Sequence, residues 1–143
     1  MGGVILPQNV KIKIDSKQDD GQEILAVNKK SQGILYEKAG TFYLKYTEDL
    51  EDVTEVKTTL KIKKDNLTLI RRGNLNSIQH FIRGEKTSFD YKTPYGKFSF
   101  ELEVKEFLVD VSLERGQIDI VYELCNQEQL VGVNSLTVAY EEA

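Results

Sequence analysis

Phe98, Phe100, Leu102 and Val104 alternate with Ser99, Glu101, Glu103 and Lys105, and the same rhythm recurs along nearly the whole chain. A period of two puts successive side chains on opposite faces of a β-strand, one dry and one wet. Val10, Ile12 and Ile14 begin the series. Phe42, Leu44 and Tyr46 continue it, then Val56, Thr58, Leu60 and Ile62, and later Ile118, Ile120, Tyr122 and Leu124. No intervening stretch carries the apolar stripe of a helix, and the acidic connection Asp49 to Glu55 has room for one helical turn at most. Strands with one greasy face and no helical layer to cover it must bury that face against one another. The outcome is a closed barrel or a two-sheet sandwich.

The punctuation between strands is that of hairpins. Asp20-Gly21, Ala39-Gly40, Asp65-Asn66, Gly84-Glu85 and Thr93-Pro94-Tyr95-Gly96 are turn sequences with the usual permissive or pre-set backbones. Residues 23–30 and 33–38 read as two strands, or as one with a bulge at Gly33. After Val104 the phase slips. Phe107, Val109, Val111 and Leu113 carry odd numbers where the preceding run was even, so a bulge or sharp bend belongs near Lys105-Glu106. A bulge inside a long strand bends a sheet toward closure. The expected fold is therefore all-β, an antiparallel up-and-down barrel of about 8–10 strands. The alternative is an open sandwich cornered at Lys105. Residues 1–9 read as a flexible arm and 10–143 as a single domain, a size that buries a core without staples.

Cys125 is the sole cysteine, so no intramolecular disulfide forms. Val4, Ile5 and Leu6 end at Pro7, too short for a signal-peptide core, and no apolar run reaches the length of a membrane span. The chain reads as soluble and cytoplasmic. Its net charge of −4 conceals segregation. Residues 56–97 hold ten Lys/Arg against three Asp/Glu, a net of +7, which leaves nine against twenty, a net of −11. Such a field steers an anionic partner or favours head-to-tail contact between copies, a homodimer included. Charges on the wet faces of strands also serve solubility alone. Nucleic acid is not the expected partner, because the aromatics that would stack on bases lie on the face opposite Lys57, Lys61 and Lys63.

Four segments in order, Tyr43-Leu44-Lys45-Tyr46-Thr47-Glu48, Thr58-Thr59-Leu60-Lys61-Ile62, Leu69-Ile70-Arg71-Arg72-Gly73 and Tyr91-Lys92-Thr93-Pro94-Tyr95-Gly96, resemble the YwiB-like family of bacterial proteins. The resemblance spans Val10 to Tyr140, and the Thr-Pro-Tyr-Gly turn with its preceding tyrosine is its most specific part. It implies a calycin-like, that is lipocalin-like, β-barrel, in agreement with the periodicity. The family carries no established activity, so the resemblance assigns no residue a role.

Few residues offer chemistry. His80 is the lone histidine and shares the phase of Ile78 and Ile82, which groups it with the inward side chains; among such neighbours it reads as a hydrogen-bonded packing residue before a general base. One histidine and one cysteine cannot build a zinc site, and the acidic loop lacks the mid-loop glycine of a calcium-binding hand. No acid, base and nucleophile converge, no glycine-rich phosphate cradle exists, and neither an enzyme nor a cofactor is expected. What stands out is polarity on the dry face. Arg71 continues the Leu67, Leu69 series inward, while Tyr46, Tyr91, Tyr122 and Thr58 keep phase with apolar neighbours. A guanidinium and phenols inside a small barrel suit the polar head of an amphipathic or anionic small molecule. They also suit an internal network closed by protein acceptors such as Glu48. The first reading makes the chain a binding module. The second makes it a solid-core barrel acting as a protein-interaction or structural module through its charged surface.

Overall fold

The computed structural model describes residues 7–50 and 53–143. Ten strands lie among the described residues: β1 (Gln8–Asp19), β2 (Ile24–Lys38), β3 (Thr41–Glu48), β4 (Val56–Ile62), β5 (Asn66–Arg72), β6 (Asn76–Ile82), β7 (Lys86–Thr93), β8 (Gly96–Val111), β9 (Arg115–Asn126) and β10 (Gln129–Glu142). Each pairs antiparallel with its sequence neighbours, and β1 pairs with β10 to close the ring. Closure gives every strand a partner on both sides over at least part of its length, which limits the edges an all-antiparallel sheet exposes. The alternation performs as the physics requires. Along β4, Val56, Thr58, Leu60 and Ile62 are buried while the residues between them face outward.

Two boundaries differ from those legible in the sequence. The ladder between β1 and β2 starts at Gln8, so residues 8 and 9 belong to β1; residues 1–6 of the expected arm lie outside the described residues. Residues 24–38 form one strand that runs through Gly33 with no register shift in either neighbouring ladder. A side chain there would meet Ile12 Cδ1 at 2.7 Å and Tyr46 Cβ at 3.2 Å, and would press on the Lys45 carbonyl oxygen. Only glycine permits neighbouring backbones so close. The slip after Val104 is real: the β8–β9 register shifts between Val104 and Glu106, as the change of phase predicts.

Odd-numbered connections (β1–β2, β3–β4 and so on) gather at one end, here the upper. The remaining turns, the start of β1 and the end of β10 gather at the lower. The lower half is solid. Leu35, Leu44, Ile62, Leu67, Phe81 and Phe107 are among its fully buried side chains, each contributing about 1.5–3 kcal/mol by removal from water. Tyr140 seals it, with its ring flat against Gly116, where a Cβ would stand 2.5 Å from the ring, and its hydroxyl donating to the Ser112 carbonyl at 2.6 Å. A smaller cluster of Val53, Val56 and Leu75 packs with Leu50 and Tyr91 at the upper rim. The helical turn for which the acidic connection has room falls on residues 51 and 52, outside the described residues; the flanking residues are pinned. Asp49 accepts the Glu55 amide at 2.9 Å, and Leu50 and Val53 exchange backbone hydrogen bonds.

The ring is unevenly stitched. β6 and β7 share only the pairs Asn76–Lys92 and Ser77–Tyr91. β2 pairs with β3 over residues 33–38 alone, so residues 24–32 have a partner on one side only. Lys29 Nζ reaches across that gap to the Asp49 carbonyl at 2.5 Å.

Candidate functional site: a cavity in the upper half of the barrel

The upper half is hollow. A cavity of about 1100 Å³ rests on Ile14, Leu60, Leu69 and Val138 as its floor. Its walls carry Phe89, Phe100, Leu124 and Leu136, and at its mouth stand the exposed side chains of Leu25, Val27 and Phe98.

Strand register brings the polar candidates to one level. Tyr46 on β3 sits opposite Thr58 on β4, Thr58 opposite Arg71 on β5, Arg71 opposite Ser77 on β6, and Ser77 opposite Tyr91 on β7. One register line across five strands thus unites Tyr46, Thr58, Arg71 and Tyr91. Tyr122 enters from β9, where its partner on β10 is Asn134.

Glu48, two residues above Tyr46 on the same face, completes the group. Arg71 Nε donates to Glu48 Oε1 at 2.8 Å, and Thr58 Oγ1 donates to the same oxygen at 2.7 Å. The Glu48 side chain is 6% exposed and that of Arg71 17%. Ions this deep persist only when paired and hydrogen-bonded. Burial alone would lower the Arg71 guanidinium, but the neighbouring Glu48 carboxylate, with Tyr91 and Tyr46, outweighs it and holds the group above its ordinary value. Burial also raises the Tyr46 phenol, Glu48 raises it further, and Arg71 partly opposes both. Tyr122 is raised by burial, with the hydrogen bond from Asn134 Nδ2 (3.3 Å) and the charge of Arg71 pulling the other way. The Tyr46 and Tyr122 phenols are therefore neutral donors at physiological pH.

The network leaves specific valences open. Nε is the only Arg71 nitrogen that finds an acceptor among the described residues, and the Arg71 side chain lines the cavity. Glu48 Oε2 accepts from no described residue. Asn134 Oδ1 is buried and unpartnered, the single such side-chain atom among the described residues.

His80 is a correction. It lies on the outer face of β6, exposed, with Nδ1 3.3 Å from Thr68 Oγ1, and takes no part in the cavity. The inward positions of that strand are Ser77, Gln79 and Phe81. Ser77 and Gln79 are polar because this stretch faces the ion pair and not the greasy lower core, so the apolar majority of the run (Ile78, Ile82) ended up outside. Gln79, Ser77 and Asn134 are the site residues that composition hides. The signal for the first two is the β5–β6 register, and for Asn134 its phase with Leu136, Val138 and Tyr140. No group of three or more His, Cys, Asp or Glu side chains that could hold a metal occurs among the described residues, and no described helix is long and apolar enough to cross a membrane.

A ten-stranded, closed antiparallel barrel, filled at one end and holding a polar-studded cavity at the other, is a calycin-like barrel. The chain belongs to the family described as a domain of unknown function (DUF1934), whose model matches residues 10–138. It is similar to the uncharacterized β-barrel protein YwiB of Bacillus subtilis (strain 168), with 27% identity over 135 residues, covering 94% of this chain and 93% of that protein. A crystal structure of the ywiB protein from Bacillus subtilis has the same fold, with a TM-score of 0.89 and 23% identity over 98% of this chain and 95% of that one.

Proposed function

We propose that the protein is a binding module that takes a small amphipathic molecule into the upper half of the barrel. The polar head lies at Arg71 among Tyr46, Tyr91 and Tyr122, and the apolar body lies against Phe89, Phe100 and Leu136. One observation carries this reading: the cavity of about 1100 Å³ has a mainly apolar wall and is lined by Arg71, whose Nη donors have no acceptor among the described residues. Ligand pockets typically measure about 300–1,000 Å³ and pair an apolar lining with a few placed polar groups. A packed core would not leave so large a void unfilled.

Native mass spectrometry of protein isolated from cells tests the reading, together with uptake of the neutral fluorophore N-phenyl-1-naphthylamine. The expected results are an adduct lost on denaturing extraction, and probe fluorescence that Leu69→Trp abolishes by filling the floor. A bare mass in every preparation together with no probe uptake refutes it.

A second reading has support from topology. The basic block falls on β4 to β7, which are adjacent, so Lys57, Lys61, Arg72, Lys86 and Lys92 share one outer wall. That wall suits an acidic partner protein or the acidic side of another copy. The solid interior this reading first assumed is present only in the lower half.

A further inference from the structure

We infer that the head group this cavity accepts is uncharged and both donates and accepts hydrogen bonds, in the manner of a primary amide or a hydroxyl-bearing ester, and is not an anion. The inference rests on the cavity-binding reading and narrows it.

The reasoning starts from charge. Arg71 alone would call for a carboxylate or phosphate. Its Nε already holds Glu48 Oε1 at 2.8 Å, so the pair is formally neutral. An anion drawn to the Nη edge would bring a second negative charge beside the buried Glu48 carboxylate. Two like charges there cannot both stay ionised without a large cost. A cation meets the mirror-image problem at Arg71. A neutral head adds no uncompensated charge.

Hydrogen bonding then states what the head must carry. The Arg71 Nη groups need acceptors. Glu48 Oε2 and the buried Asn134 Oδ1 need donors. A head with only acceptors, which is what a carboxylate is, offers no donor to Glu48 Oε2 and leaves the buried Asn134 Oδ1 unmatched, and unmatched buried polar groups are heavily penalised. A carbonyl next to an N–H or O–H answers both demands. The phenols of Tyr46, Tyr91 and Tyr122 serve either role.

The test compares one alkyl chain with three heads: decanamide, decanoate and decylammonium, each displacing N-phenyl-1-naphthylamine at pH 8 below its aggregation threshold. In the wild-type protein decanamide should bind at least tenfold tighter than either ion. Glu48→Gln, which keeps shape and frees Arg71, should shift the order to favour decanoate. Arg71→Gln should favour decylammonium. Melting curves confirm that each variant is folded, and the wild-type ranking decides the matter even if neither is. Decanoate binding as well as or better than decanamide in the wild-type protein overturns this inference while leaving the cavity reading intact. Binding of none of the three, with no probe uptake, overturns both.

Discussion

Replacing Glu48 by Gln, Arg71 by Met, and then both, separates a dry ion pair from a hydrated one. At an effective dielectric near 20, unit charges about 4 Å apart attract by about 4 kcal/mol. The charge-assisted hydrogen bond at 2.8 Å falls within that figure and is not added to it. Exposure of 17% at Arg71 lets cavity water screen part of the attraction, so a coupling of about 2 kcal/mol is expected. Each single change strands a buried group. Glu48→Gln should cost about 2 kcal/mol, because the amide still serves Thr58, and Arg71→Met about 3 kcal/mol, because the carboxylate loses its counter-charge. The double variant should then cost about 3 kcal/mol instead of the sum, since neither stranded charge remains. Urea unfolding followed by circular dichroism gives all four stabilities, and an unchanged slope with denaturant shows that the unfolded reference is unaltered. Additivity within about 0.5 kcal/mol would refute the reasoning, for it would mean that water screens the pair fully and that the cavity is not a low-dielectric site.

Gly33→Ala should destabilise the barrel by about 2–3 kcal/mol, because the new methyl meets Ile12 and Tyr46 as well as the Lys45 backbone; a urea midpoint equal to the wild-type value would show that β2 and β3 can separate at no cost. Stability should fall as pH climbs above 10. Burial pushes the Tyr140 phenol up from 10.0 to about 12, so the native state holds its proton where the unfolded chain loses it. The contribution is complete below pH 10 and disappears by about pH 12, amounting to roughly 3 kcal/mol for a side chain 3% exposed. Tyr140→Phe should cost about 1 kcal/mol at pH 7 through the lost hydrogen bond. It should also flatten the decline between pH 10 and 12, and urea midpoints that fall in parallel for the two proteins over that range would refute the assignment.

Parity made most of the barrel legible. Val56, Thr58, Leu60 and Ile62 announce a half-buried strand without ambiguity, and the change from even to odd after Val104 locates the bulge to within a residue. Arg71 was readable as inward because Leu67 and Leu69 leave it no other face. Glu48 was equally in phase with Phe42, Leu44 and Tyr46, and its pairing with Arg71 needed only the register of β3 and β5 through β4. Where reading by composition failed, the interior itself was polar. In β6 two isoleucines and a histidine outweigh Ser77 and Gln79 in apparent greasiness, and only the three-residue connection 73–75, which sets Arg71 opposite Ser77, reveals the true inner face. The β9–β10 turn left no mark either. Gln127 and Glu128 both take positive φ, at 50° and 66°, with no glycine or asparagine to advertise it.

The sparse join between β6 and β7 divides the molecule mechanically. Two rungs hold there, against ten between β1 and β10. Rupture of a closed sheet begins where the fewest bonds must break together. Below those rungs residues 78–82 and 86–90 share no ladder pair, so a thermal breath of this barrel opens the wall beneath Ser77 and Tyr91, and the polar ring above stays sewn.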